Sequence, residues 1–222
     1  FIKNGGGTFL ISPSFTASAR NNINGDVILN EGTLRLGNSG ALYANISPYS
    51  GTIYFRGGEF NHGSATDFSS NFSNEANQQF KITAQGPGAT YNTALQSDGG
   101  SFELLGGNLA FEADNTYTGS TTVTNGVLTI GDGSSSVGSI SSASPLVIEN
   151  GGEVLLANDI EVASISGSGT IDLGFSPAYE LTVGSDNSNS TFSGSLEGDG
   201  WITKVGSGDL NLDLFASSEY AS

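Results

Sequence analysis

Gly25-Asp-Val-Ile-Leu-Asn-Glu-Gly-Thr-Leu-Arg-Leu-Gly37 superposes on Gly119-Ser-Thr-Thr-Val-Thr-Asn-Gly-Val-Leu-Thr-Ile-Gly131 at a shift of 94 residues. The same shift carries Gly57-Gly58-Glu59 onto Gly151-Gly152-Glu153. One offset shared by two separated segments marks an internal repeat. Inside each copy, apolar and polar residues alternate over a few positions, which is the period of a half-buried strand. Gly and Asn stand between the runs as turn residues.

Working outward, Phe1-Ile-Lys-Asn-Gly-Gly-Gly-Thr-Phe-Leu-Ile11 matches Ile202-Thr-Lys-Val-Gly-Ser-Gly-Asp-Leu-Asn-Leu212 at a shift of 201. Phe102-Glu-Leu-Leu-Gly-Gly-Asn-Leu-Ala-Phe111 is an intermediate copy at a shift of 100. The chain therefore reads as one domain over 1–222, with approximate repeats 1–100 and 101–201 and the start of a third at 202–222. The shift grows from 94 to 100 between Glu59 and Gly107, which assigns the extra length to the polar stretch Asn61–Gln79. Turn signals at this spacing also suit a sandwich or a barrel. Repetition favours a solenoid, because each coil must fit the one before it. The expectation is an all-β fold, a single right-handed parallel β-helix with uncapped ends. Coils of roughly 20–25 residues give about nine to eleven turns and a rod about 45–50 Å long. Leu34, Leu36, Leu128 and Ile130 are the expected inward positions. The pairs Gly57-Gly58, Gly106-Gly107 and Gly151-Gly152 are expected corners, as are Gly167-Ser-Gly and Gly206-Ser-Gly. A first residue of Phe rather than Met reads as a processed product or a piece of a longer stalk.

Composition narrows the class. The chain has 222 residues, 33 Gly, no Cys and no Met, and only 13% charged residues. β-Branched and aromatic residues gathered into runs argue against disorder. Net charge is −16, from 22 acids against 6 bases. Nucleic acid, which needs clustered Lys and Arg, is excluded as a partner. An anionic membrane surface is excluded likewise, and no apolar run is long enough for a membrane helix, so no direct membrane insertion is expected. Without Cys there is no disulfide framework.

The stretch Asn115-Thr-Tyr-Thr-Gly-Ser-Thr-Thr-Val-Thr-Asn-Gly-Val-Leu-Thr-Ile-Gly131 resembles the passenger-associated β-strand repeat of bacterial autotransporters. Asn115, Tyr117, Gly119, Thr121, Val123, Gly126 and Leu128 match that pattern. The family's preceding Lys-x-Gly-x-Gly-x-Leu-x-Leu strand is matched by Lys204, Gly206, Gly208, Leu210 and Leu212. The first unit is degraded, with Ile23 for Tyr and Val27 for Thr, and Tyr220 begins another copy. The chain shows no translocation barrel, so it departs from a complete protein of that family. The resemblance implies a β-helical stalk or adhesin segment, extracellular or on the cell surface of a Gram-negative-type bacterium. Implied partners are surface glycans and proteins of a host or neighbouring cell.

Catalytic chemistry finds little purchase. His62 is the one histidine and falls in Phe60-Asn-His-Gly-Ser64, read as a polar surface turn, so no Ser-His-Asp triad is expected. Without Cys, no zinc or iron ligand set exists. Asp172 with Glu180, and Glu197 with Asp199, are the candidate carboxylate pairs for a polysaccharide-active enzyme. Both pairs read more simply as solvated surface charge. Arg20, Arg35 and Arg56 all lie in the first quarter, away from these acids. No cofactor is expected. Calcium at Gly131-Asp-Gly133 or Gly198-Asp-Gly200 is the one ion kept open. Asn45, Asn71 and Asn189 head chance glycosylation patterns. The leading expectation is a structural and adhesive protein, not an enzyme. A filament subunit that stacks on copies of itself, and a polysaccharide-active enzyme, are the alternatives.

Overall fold

A computed structural model describes residues 1–11, 25–37, 49–62, 65–134 and 137–214. Expectations placed on Arg20, Ile23, Asn45 and Tyr220 lie outside these residues. The described residues hold strands, turns and one 3-10 turn at Ser69–Asn71, with no α-helix. The strands are β1 (Ile2–Lys3), β2 (Thr8–Ile11), β3 (Val27–Leu29), β4 (Thr33–Leu36), β5 (Ile53–Phe55), β6 (Glu59–His62), β7 (Gln79–Tyr91), β8 (Ser101–Phe111) and β9 (Thr121–Ile130). They continue as β10 (Leu146–Leu156), β11 (Ile160–Val162), β12 (Ile165–Gly167), β13 (Thr170–Asp172), β14 (Glu180–Val183), β15 (Ser190–Phe192), β16 (Ser195–Glu197), β17 (Trp201–Lys204) and β18 (Leu210–Leu212).

Every ladder is parallel, and each strand pairs with strands of the neighbouring coils. This is the expected β-solenoid and not a closed barrel. The principal sheet runs β2-β4-β6-β7-β8-β9-β10-β12-β15-β18, ten strands that span roughly 45 Å at the usual strand spacing. Two short sheets, β1-β3-β5 and β11-β14-β17, complete the wall at opposite ends.

Alternation places every second residue inside. Leu34, Leu36, Leu128 and Ile130 are all buried, as their period requires. One column passes in register through Phe9, Leu34, Phe60, Ile82, Leu104, Val123 and Ile148. Leu34 thus stacks toward Val123, not toward Leu128, its sequence match at 94. What recurs in sequence is a turn-and-strand segment, and it recurs from one face of the coil to the next as well as from coil to coil.

The glycine pairs divide into two kinds. Gly57 turns the chain between β5 and β6 at φ +122°. Gly106-Gly107 and Gly151-Gly152 do not interrupt their strands; they sit at register shifts inside the continuous strands β8 and β10. Such bulges bend a strand without ending its ladder. Gly126 stacks between Gly107 and Gly152 at φ +88°, and a Cβ there would stand 2.0 Å from the Gly107 carbonyl oxygen.

The middle coils are filled by rings. Phe55 packs edge-on against Phe60, Phe72 and Phe80, and Phe102 packs edge-on against Phe111. Each buried ring removes enough apolar surface to contribute about 1.5–3 kcal/mol. His62 corrects the surface-turn reading. It is the last residue of β6, fully buried, with its ring against Phe60, Phe68 and Tyr91. Its Nε2 lies 2.9 Å from the Tyr91 hydroxyl. The reason is the strand period, since Phe60 and His62 are two apart and share the inner face.

Gly126→Ala is expected to cost about 2–4 kcal/mol, from the positive φ and the carbonyl clash together. Gly6→Ala is the control, because a Cβ there meets nothing within 4 Å. Urea melts of the two variants check this, and equal midpoints would refute the close-approach account.

Candidate functional site

Asn115, Tyr117, Gly119 and Thr121 come together at one corner, where hydrogen bonds run along the long axis. Asn115 is buried. Its Oδ1 accepts the Leu95 backbone N–H of the coil below at 2.8 Å. Its Nδ2 donates to the Ser139 carbonyl of the coil above at 2.9 Å and to Ala113 of its own coil at 3.1 Å. Tyr117 is buried beside it, with its hydroxyl 2.6 Å from Thr121 Oγ1. Thr121 Oγ1 lies 2.9 Å from Ser144 Oγ on the next coil, and that hydroxyl donates to the Gly119 carbonyl at 2.8 Å. A Cβ at Gly119 would come within 2.6 Å of the Gly100 carbonyl oxygen. Val123 and Leu128 face the core. Hence Asn, Tyr, Gly and Thr at alternate positions form a buried polar seam satisfied across three coils, as burial of polar groups demands.

The lysine motif works at a strand end. Lys204 Nζ donates to the Val205 and Gly206 carbonyls. Lys3, its match at 201, donates to Asn4, Gly5 and, one coil on, Glu31 at 3.2 Å. Gly206 takes φ +69° and Gly208 faces the Ser188 carbonyl, while Leu210 and Leu212 form the last described strand. On the outer surface Glu59 makes the same axial linkage, accepting Thr33 at 2.7 Å from one coil and Thr83 at 2.6 Å from the next.

The candidate acids are arranged by register. Asp172 on β13 stands beside Glu197 on β16, while Glu180 belongs to another sheet and accepts the Thr203 hydroxyl. Asp172 Oδ1 accepts the Gly174 N–H at 2.8 Å. Asp199 donates its N–H to Gly174. Asp132 closes its own turn onto Ser134. No group of three or more His, Asp or Glu side chains gathers as a metal site among the described residues. Asn71 donates to the Tyr49 and Gly51 carbonyls, and Asn189 accepts the Asp209 N–H. Arg35 donates to Gln85.

Sequence reasoning missed the concave features. After β5 its ladder lapses into isolated parallel bridges, Ile53–Phe72 and, further along, Asp114–Ser139. The Phe55 N–H is taken instead by the buried Gln78 side chain at 2.8 Å. A cleft of about 370 Å³ opens there, lined by Tyr54, Phe72, Asn74, Glu75 and Gln96 among others. Arg56 lies 5.7 Å from the centre of the Tyr54 ring and 3.8 Å from Glu75. A second cleft of about 490 Å³, with Asp114, Asp159 and Glu161 on its walls, lies at the start of β11 on the far side of the lapse. The longer shift across Asn61–Gln79 was the one sequence signal for the first cleft.

Burial pushes the phenols of Tyr91 and Tyr117 upward; Asp67 adds to the rise at Tyr91, and Thr121 offsets part of it at Tyr117. Tyr49 is raised by burial and by Asp26. No family model, curated protein or solved structure matches the chain.

Asn115→Ala removes the acceptor of the buried Leu95 N–H and the donor to Ser139, and is expected to cost about 2–4 kcal/mol in a urea melt. A loss below about 0.5 kcal/mol would remove the seam from the list of inter-coil fasteners. The raised tyrosines set an alkaline limit. Their neutral forms are favoured in the fold, so stability persists below the unfolded phenol pKa near 10 and falls as pH rises above it. Urea melts from neutral to alkaline pH should show this loss, with a shallower slope in Tyr117→Phe by up to about 1.4 kcal/mol per pH unit.

Proposed function

We propose that this chain is a rigid structural and adhesive segment, a stalk of the autotransporter-passenger kind that works outside the cell. The observation that carries this reading is the use of the repeated motif. Asn115 and Thr121 direct their polar atoms into inter-coil bonding along the axis, and Tyr117 holds the Thr121 hydroxyl from within the same coil. A motif whose polar atoms join one coil to the next serves length and stiffness. Quasi-one-dimensional stacking supplies both, because each coil is held by its neighbours. The acidic surface, with net charge −16, keeps separate rods apart. No cofactor enters this reading. Partners are glycans or proteins of an adjoining cell surface.

A second reading is stacking on copies of itself. It is favoured by the all-parallel axial ladders, which join coil to coil and would join copy to copy in the same way. Strand edges of this kind template further pairing.

Two measurements on the whole chain test these readings. In single-molecule pulling, the stalk is expected to lengthen in small steps of about one coil, roughly 20–25 residues each. Beads coated with the chain are expected to attach to cell layers above the level of albumin-coated beads. Collapse of the whole rod in one low-force event, together with absent attachment, would overturn the stalk. Fibres that lengthen with concentration under the electron microscope would move the chain to the second reading.

A further inference from the structure

We propose that the cleft beside Tyr54 is a binding site for a short neutral oligosaccharide, an inference that rests on the adhesive reading and names its ligand class. The cleft occurs where the chain departs from its own repeat. Continued stacking would close this face after β5, as β11, β14 and β17 close it further along. Instead Gln78 caps the Phe55 N–H from within, and the outer surface is left concave. In repeat proteins, insertions of this kind gather on one face, and that face is often the one that binds.

The residues there suit a sugar. Tyr54 points outward between the buried Ile53 and Phe55, is half-buried and lines the cleft. Arg56 lies over that ring and is ion-paired to Glu75, which gives the aromatic platform a fixed neighbour. The electron-rich face of an aromatic ring attracts the positively polarised C–H groups of a pyranose. Around it, Asn74 and Gln96 each present both a donor and an acceptor, and Glu75 presents two acceptor oxygens. This mixture matches neighbouring sugar hydroxyls, which donate and accept at once. The volume falls within the range of small-ligand sites. The net charge of −16 selects against acidic sugars.

The test is a titration of the 15N-labelled chain with cellotetraose, maltotetraose and β-1,4-mannotetraose, with sialyllactose as the anionic control. At least one neutral tetrasaccharide is expected to shift amides of the cleft, with Kd on the order of 0.1–1 mM. Tyr54→Ala should weaken that binding about tenfold or more, while Tyr54→Phe, which keeps the ring, should stay within about twofold. Circular dichroism of both variants confirms the fold. The cleft is overturned by silence from all three neutral probes, by shifts confined elsewhere, by preference for sialyllactose, or by unchanged binding in Tyr54→Ala. Bead attachment without sugar binding removes this site and leaves the adhesive stalk standing; sugar binding without attachment does the reverse.

Discussion

The backbone hydrogen bonds of this protein run along its length, each coil supplying the partners that the next one needs. A parallel strand alone has nothing to bond to, and an unpaired buried amide costs as much as a lost hydrogen bond. Every coil is therefore tied to its neighbours in register, and the register in turn dictates which side chains meet. From Phe9 to Ile148 one apolar column follows directly from that requirement.

Coil length is free where register is not. Thr8 to Thr33 takes 25 residues, while Phe102 to Thr121 takes 19. The surplus is absorbed in turns and at the glycine bulges of β8 and β10, where a strand can bend without losing its ladder. Buried polar seams bridge such junctions. Asn115 reaches backbone groups on three successive coils, a task for which a short side chain with both a donor and an acceptor is suited. Gln78 shows the same logic where a coil is irregular, replacing the backbone partner that this coil does not bring to Phe55.

That irregularity is where the molecule offers something besides length. A regular solenoid presents nearly flat faces. The lapse between β5 and β11 leaves two clefts, one on each side of it, and the first carries a ring, a cation and several amides close together. The proposed stalk and the proposed sugar site thus follow from opposite properties of the same chain. Repetition builds the rod, and a break in repetition builds the pocket.

The period-two runs around Leu34, Leu36, Leu128 and Ile130 and the repeated glycines were enough to read a stack of short parallel strands, because alternation and turn chemistry are local properties. Asn115, Tyr117, Gly119 and Thr121 could likewise be picked out as a unit, though not what they bond to. Their partners Leu95, Ser139 and Ser144 lie about one coil away in the chain. His62 shows the limit most clearly. Its flanking Asn61, Gly63 and Ser64 read as a turn, yet its place opposite Tyr91 depends on a coil that closes 29 residues later. Columns, bulges and the cleft at Tyr54 all arise from how one coil lands on another. Long-range register sets that landing, and no short window of residues contains it.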